Sequence, residues 1–172
     1  MDNIALLLAM DVSLAAIVPH REAAIALAAD RLADGAGMAY EEVKAALAAR
    51  EALGSTALGR GVAMPHAIAR QCRRPAGALI RLAAPVDFDA PDDTAVDVVL
   101  ALIWPQSRVQ DFVRFSSLVN RILLDPGVLP SIRSMSAPDR IRSLLHTRAR
   151  AAGLAGLPHG PTAGDAVGLP QP

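Results

Sequence analysis

The chain is expected to fold as an α/β, single-domain sandwich, with one mixed central β-sheet flanked by helices on both faces. Three observations predict this. Residues 96–104 (VDVVLALIW) form a nearly continuous aliphatic run bounded by Asp92-Asp93 and Pro105, the pattern of a central strand covered on both sides. Segments with apolar residues at three- and four-residue spacing lie before and after it, so the order helix, helix, short strands, strand, strand, helix, helix puts helical layers on a sheet. Hydrophobic residues make up 52% of the chain and aromatic residues only 3%, which calls for an aliphatic core and closely packed helices.

Length and charge set the outer bounds. The 172 residues make about one domain, assigned to 1–150, and such a domain buries roughly two-thirds of its unfolded surface. Residues 151–172 are rich in Ala, Gly and Pro, cannot bury a core, and are expected to be a disordered tail. Lys and Arg total 17 and Asp and Glu total 17, so the electrostatic footprint of a nucleic-acid binder is missing. Lys44 is the sole lysine; arginine suits bidentate phosphate contact, but a biased genome gives the same imbalance and is the preferred reading. Cys72 stands alone, which excludes an intrachain disulfide and a cysteine-based zinc site within one chain and fits a reducing cytoplasm.

The elements follow in order. The opening MDNIALLLAMDVSLAAIV has Asp2 where a signal peptide needs a basic region, and Asp11 breaks the apolar run, so it reads as a buried or strand-forming lead-in. No stretch approaches the ~20 apolar residues that cross a bilayer, which argues against direct membrane insertion. Residues 20–32 repeat apolar positions at Ala23, Ala24, Leu27, Ala28 and Leu32, and Gly35 and Gly37 end that helix. Residues 40–53 repeat the pattern through Val43, Ala46, Leu47 and Leu53, with Glu41 and Glu42 in the first turn where the helix dipole favours them. This second helix delivers Arg50 close to the glycine-rich run that follows.

That run, Gly54-Ser55-Thr56-Ala57-Leu58-Gly59-Arg60-Gly61-Val62-Ala63-Met64-Pro65-His66, reads as two very short strands punctuated by glycines. Pro65 has no N–H for a further ladder bond, so the chain is expected to leave the sheet with His66 held at its end. Spacing alone leaves two readings open: a placed functional imidazole, and a histidine that merely begins a loop, the second being commoner. Residues 67–75 are basic and turn-like and read as a loop, and residues 77–83 as a strand. The acidic, proline-flanked connection 85–93 lacks the ligand spacing of a calcium loop and is read as solvated. Residues 109–124 form a helix with Phe112, Phe115, Ser116, Val119, Ile122 and Leu123 facing inward, stopped by Asp125-Pro126-Gly127. A short helical piece follows at 128–135, and Ser136-Ala137-Pro138-Asp139 caps a last helix at 139–150.

The motif Arg50-Glu51-Ala52-Leu53-Gly54-Ser55-Thr56, continued by Gly59-Arg60-Gly61-Val62-Ala63-Met64-Pro65-His66, is very similar to the signature of the fructose, mannitol and nitrogen-type enzyme IIA domains of the bacterial phosphotransferase system. Pro85 to Asp92 and Val96-Asp97-Val98-Val99 resemble the family in the same order. The likeness covers roughly residues 2 to 147 and is greatest to the stand-alone nitrogen-type member. It reverses the order of the two readings of His66. The resemblance implies a cytoplasmic phosphotransferase component working through a phosphohistidine intermediate: His66 accepts a phosphoryl group from HPr or its nitrogen-pathway paralogue, in a role more regulatory than transporting. It implies that Arg50 gives charge support and that Ser55 or Thr56 hydrogen-bonds the phosphoryl oxygens or the ring. It calls for no cofactor and no metal. Onward partners are an enzyme IIB or a regulatory target, and the competing readings are a sugar-transport component and a degenerate interaction module that keeps only the fold.

Two positions depart from the family. Phe112 stands where the family usually has a second histidine, so that histidine is missing, and Arg108, one helical turn earlier, is a conceivable substitute donor although a solvent arginine is preferred. Ala67-Ile68 replaces a glycine often followed by lysine, which touches partner approach.

Overall fold

The computed structural model describes residues 3–152. Residues 153–172, most of the expected tail, lie outside the described residues. The lead-in is a helix followed by a strand: α1 (Asn3–Ala9) and β1 (Asp11–Ala16). Helix α2 (Arg21–Ala36) runs four residues past its expected stop at 32, carrying Gly35 inside it. Gly37, at φ +66°, ends it in the left-handed conformation that glycine adopts without steric cost. Helix α3 (Tyr40–Glu51) begins with the Glu42 side chain accepting the Ala39 N–H at 3.2 Å.

The two short strands are present as β2 (Ala57–Gly59) and β3 (Val62–Ala63), an antiparallel hairpin turning on Arg60-Gly61. Both turn residues have positive φ, 58° and 78°, as a two-residue type I′ turn requires. A Cβ on Gly61 would stand 2.6 Å from the Arg133 guanidinium, so backbone conformation and crowding both select glycine there. Then come β4 (His66–Ala69), β5 (Ala76–Val86), β6 (Val96–Pro105), a 3-10 turn (Gln106–Arg108), α4 (Val109–Leu124), α5 (Val128–Ser134) and α6 (Pro138–Ala151).

The expectation that His66 leaves the sheet, with a loop over 67–75, is corrected by β4. Strands β3 and β4 lie one after the other along β6, both parallel to it, and the register never slips: Val62 faces Val98, Ala63 faces Val99, His66 faces Leu102 and Ala69 faces Pro105. Pro65 removes a donor, but its carbonyl still accepts the Leu102 N–H at 2.9 Å, so the chain stays on the sheet. Three smaller corrections follow. Strand β5 reaches Val86 across an irregularity and takes in the start of the expected connection. Ala137, not Ser136, is the N-cap of α6, with Pro138 in its first turn. Ser116 is half-buried with its hydroxyl on the Val113 carbonyl, and Leu118 takes an inward position instead.

The six-stranded sheet has the order β1-β5-β6-β3-β2, with β4 beside β6. Its two faces carry separate cores. Leu79, Val98, Leu100, Leu102 and Trp104 meet α1, α4, α5 and α6 on one side; Ala78, Ile80, Val99, Ala101 and Ile103 meet α2 and α3 on the other. The alternation along β5 and β6 is the two-residue period of a strand buried on both faces.

Arginine closes helix ends throughout. Arg74 donates to the Gly35 and Asp34 carbonyls of α2, Arg60 to the Leu124 carbonyl of α4, and Arg81 to the carbonyls of Ile132, Arg133 and Met135 at the end of α5. A planar fork of donors suits several orphan carbonyls at once, which gives the arginine excess a structural use at these positions. The acidic connection also binds the chain rather than only meeting water. Asp92 accepts the Arg60 N–H at 2.7 Å, which with the Thr94 bonds holds its carboxyl below the ordinary range, and Asp89 pairs with Arg21.

Candidate functional site

His66 opens β4 with its ring half-buried on the face that α4 covers. Two hydrogen bonds fix it. Arg50, in the last turn of α3, donates its Nε–H to His66 Nε2 at 3.2 Å, and its Nη1 donates to the Gly54 carbonyl at 3.0 Å. A guanidinium only donates, so Nε2 must present a lone pair. The other nitrogen, Nδ1, lies 2.8 Å from the Met64 carbonyl and must therefore carry the proton. The ring is the Nδ1–H tautomer with its nucleophilic pair on Nε2.

Electrostatics keep that ring neutral. Burial is the largest influence and lowers the His66 pKa from its ordinary value; the bond to the Met64 carbonyl raises it, the Arg50 charge lowers it and the Glu51 charge raises it, leaving a net fall. At neutral pH the imidazole is an uncharged base beside a fixed cation, an arrangement that accepts an electrophile carrying negative charge.

Phe112 stands against the ring, centroids 5.3 Å apart and planes 30° inclined. It is 8% exposed and backed by Trp104 at 5.9 Å, which in turn meets Phe115 at 5.2 Å. An aromatic wall thus limits water on one side of His66 and offers no acid or base. The indole Nε1 of Trp104 is buried without a partner among the described residues. Arg108 donates to Asp111 at 2.9 Å and is committed there.

The two hydroxyl residues are engaged elsewhere. Ser55 Oγ donates to the Phe88 carbonyl and accepts the Ala57 N–H, and Thr56 Oγ1 donates to Glu51 at 2.6 Å. Neither bonds the imidazole, so the expected ring contact from Ser55 or Thr56 is not made. Sequence reasoning missed Met64, whose part is played by a main-chain carbonyl, and Glu51, which is buried and holds Thr56. Only the adjacency of Arg50 and Glu51 signalled the latter. Among the described residues no three His, Cys, Asp or Glu side chains converge as metal ligands, and no helix is long and apolar enough to cross a membrane.

Residues 6–147 match the family model "Phosphoenolpyruvate-dependent sugar phosphotransferase system, EIIA 2". The chain is 33% identical over 99 residues to a nitrogen regulatory protein of Pseudomonas aeruginosa, an alignment that spans 58% of this chain and 64% of that protein, slightly under two thirds. It is 31% identical over 128 residues to a nitrogen regulatory protein of Bradyrhizobium diazoefficiens, spanning 74% of this chain and 84% of that one. The crystal structure of nitrogen regulatory protein IIA-Ntr from Neisseria meningitidis superimposes with a TM-score of 0.75 at 29% identity, covering 78% of this chain and 92% of that one. The match spans both the helix that carries Arg50 and the strand that carries His66.

Proposed function

Because the chain belongs to the EIIA type 2 family of the phosphoenolpyruvate-dependent sugar phosphotransferase system, we propose that it is a phosphocarrier of the nitrogen-regulatory kind, working through His66. The observation that carries this reading is the pair of bonds on one imidazole, Met64 carbonyl on Nδ1–H and Arg50 on Nε2. A phosphorylated HPr-like carrier docks beside the ring, where Ile68, Val109 and Val113 expose apolar surface. The Nε2 lone pair attacks phosphorus in line; the new N–P bond forms as the carrier's N–P bond breaks, and that electron pair returns to the carrier's imidazole. The Nδ1 proton stays on the ring, still donated to the Met64 carbonyl. Arg50 shifts from Nε2 to the equatorial oxygens and offsets their charge, while Phe112 keeps water from the transferring group. Ser55 and Thr56 support the loop around the site. Onward transfer goes to an enzyme IIB or a regulatory target.

Incubating the purified chain with phosphoenolpyruvate and the general phosphotransferase components, followed by mass spectrometry under alkaline conditions, tests it. One phosphoryl group on His66, lost in His66→Ala, is expected. Undiminished label in that variant would move the assignment to His20 or His146.

A second reading, a long-lived signalling state, is favoured by Phe112 against the ring in place of the family's second histidine. Phe112→His is then expected to speed discharge to water or partner with little change in acceptance. Unchanged discharge would reduce Phe112 to packing.

A further inference from the structure

Glu51 follows Arg50 directly, and successive helical residues point about 100° apart, so the two cannot both reach the ring. Arg50 takes Nε2, while Glu51 turns inward, 9% exposed, with both carboxylate oxygens occupied. Its Oε1 accepts the Thr56 N–H at 3.1 Å and its Oε2 accepts the Thr56 hydroxyl at 2.6 Å. Thr56 is 5% exposed, and its carbonyl accepts the Met64 N–H at 3.0 Å. The Met64 carbonyl then accepts the His66 Nδ1–H at 2.8 Å. The polar groups of Met64 are thus spent on Thr56 on one side and the imidazole on the other.

We propose that Glu51 is a positioning residue for His66, holding the ring in its Nδ1–H tautomer through Thr56 and the Met64 peptide. This rests on the phosphocarrier reading of the site. A carboxylate gripping both donors of Thr56 fixes the backbone at that residue, its carbonyl pins the Met64 N–H, and the carbonyl on the other side of the Met64 Cα is thereby held facing Nδ1. The N–H and the carbonyl of one residue belong to different peptide units, so the series acts by fixing backbone position at Thr56 and Met64. Were the Met64 carbonyl to swing away, the Nε2–H tautomer would compete; the Arg50 N–H would then face another N–H, and the lone pair would leave the site. The consecutive residues Arg50 and Glu51 thereby set opposite edges of one imidazole, the first by contact and the second through the backbone. Among the described residues, the charged groups whose influence reaches the ring are Arg50 and Glu51.

The test uses the full chain labelled with nitrogen-15, reading the His66 ring nitrogens by long-range proton–nitrogen correlation and assigning them with His66→Ala. The unmodified protein is expected to show a protonated Nδ1 and an unprotonated Nε2. In Glu51→Gln the amide nitrogen cannot accept, so one Thr56 donor loses its partner. The ring signals are expected to move toward the Nε2–H tautomer, and acceptance from the phosphorylated carrier to slow about tenfold, the consequence of one weakened hydrogen bond. Thr56→Val, which removes one arm, is expected to shift the signals less in the same direction, and Thr56→Ser to match the parent. A folded Glu51→Gln protein with parental tautomer signals and rate would overturn the proposal. If Glu51→Gln does not fold, identical tautomer signals in Thr56→Val and Thr56→Ser would overturn it. The tautomer reading needs no phosphoryl donor. A Glu51-dependent tautomer in a protein that accepts no phosphate supports the positioning role and contradicts the phosphocarrier reading, whereas a phosphorylated protein indifferent to Glu51 overturns the positioning role alone.

Discussion

The two helical layers pack the same sheet with opposite materials. On the α2 and α3 side the core is built from small residues, Ala24, Ala28, Ala29, Ala33 and Ala36 facing Ala63, Ala67, Ala78 and Ala101, with Phe88 its one aromatic ring among the described buried residues. On the α4 to α6 side it is built from Trp104, Phe112, Phe115 and a set of leucines and isoleucines. Alanine loses no side-chain entropy on burial but contributes little area, so the first layer depends on close approach; the second gains from large buried surfaces. His66 stands where the layers meet: Arg50 reaches it from the alanine side and Phe112 from the aromatic side. The small-residue layer supplies charge and orientation through Arg50, and the bulky layer supplies exclusion of water through Phe112.

Truncation breaks this contrast most strongly on the aromatic side. Phe115, fully buried, is expected to cost about 3–5 kcal/mol of stability when changed to Ala, read by urea unfolding, because its neighbours cannot fill the space. Arg50→Ala is expected to leave stability nearly unchanged and slow phosphoryl acceptance about tenfold to a hundredfold, the equivalent of roughly 1.5–3 kcal/mol for a charge-assisted hydrogen bond. Unchanged rates at matched stability would remove Arg50 from the chemistry. The alanine side fails in the other direction: Ala28→Leu is expected to destabilise by about 1–3 kcal/mol through overpacking. A stabilised Ala28→Leu protein would show that this layer is loosely filled. The smallest effect is on titration. The His66 midpoint, followed by NMR, is expected below the ordinary 6.5, since burial disfavours the imidazolium. Acceptance from the carrier is therefore retained on mild acidification and lost only as pH falls through that lowered midpoint, where Nε2 gains a proton; a midpoint above 6.5 would mean that the Met64 and Glu51 influences outweigh burial.

Much of the fold was legible because period and punctuation agreed. Helix α4 has the expected bounds of 109–124, and the hairpin 57–63 and strand β6 follow their glycines and their aliphatic run. Strand β4 was not legible: HAIA after a proline has weak strand propensity, and it pairs because the register already set by β3 continues along β6. The lead-in was ambiguous for another reason, an apolar run too short for its period to separate helix from strand. At the site, the meeting of Arg50 with His66 was foreshadowed by α3 ending beside the glycine-rich run, while spacing alone left His66 between two readings that only the motif's resemblance reordered. Met64 was not, because its contribution is a carbonyl that any residue could supply. Ser55 and Thr56 were expected to bond the phosphoryl oxygens or the ring; their hydroxyls turn to Phe88 and Glu51 and not to the imidazole, because hydroxyl chemistry can be read from sequence and hydroxyl direction cannot.

The tautomer is where both layers converge, and phosphorus–nitrogen coupling on the phosphorylated, nitrogen-15-labelled chain tests it most directly. The arrangement of Arg50, Met64 and His66 predicts one phosphoryl group bonded to Nε2 of His66, with Nδ1 still protonated against the Met64 carbonyl. Phosphorus on Nδ1, or on any other residue, would contradict it.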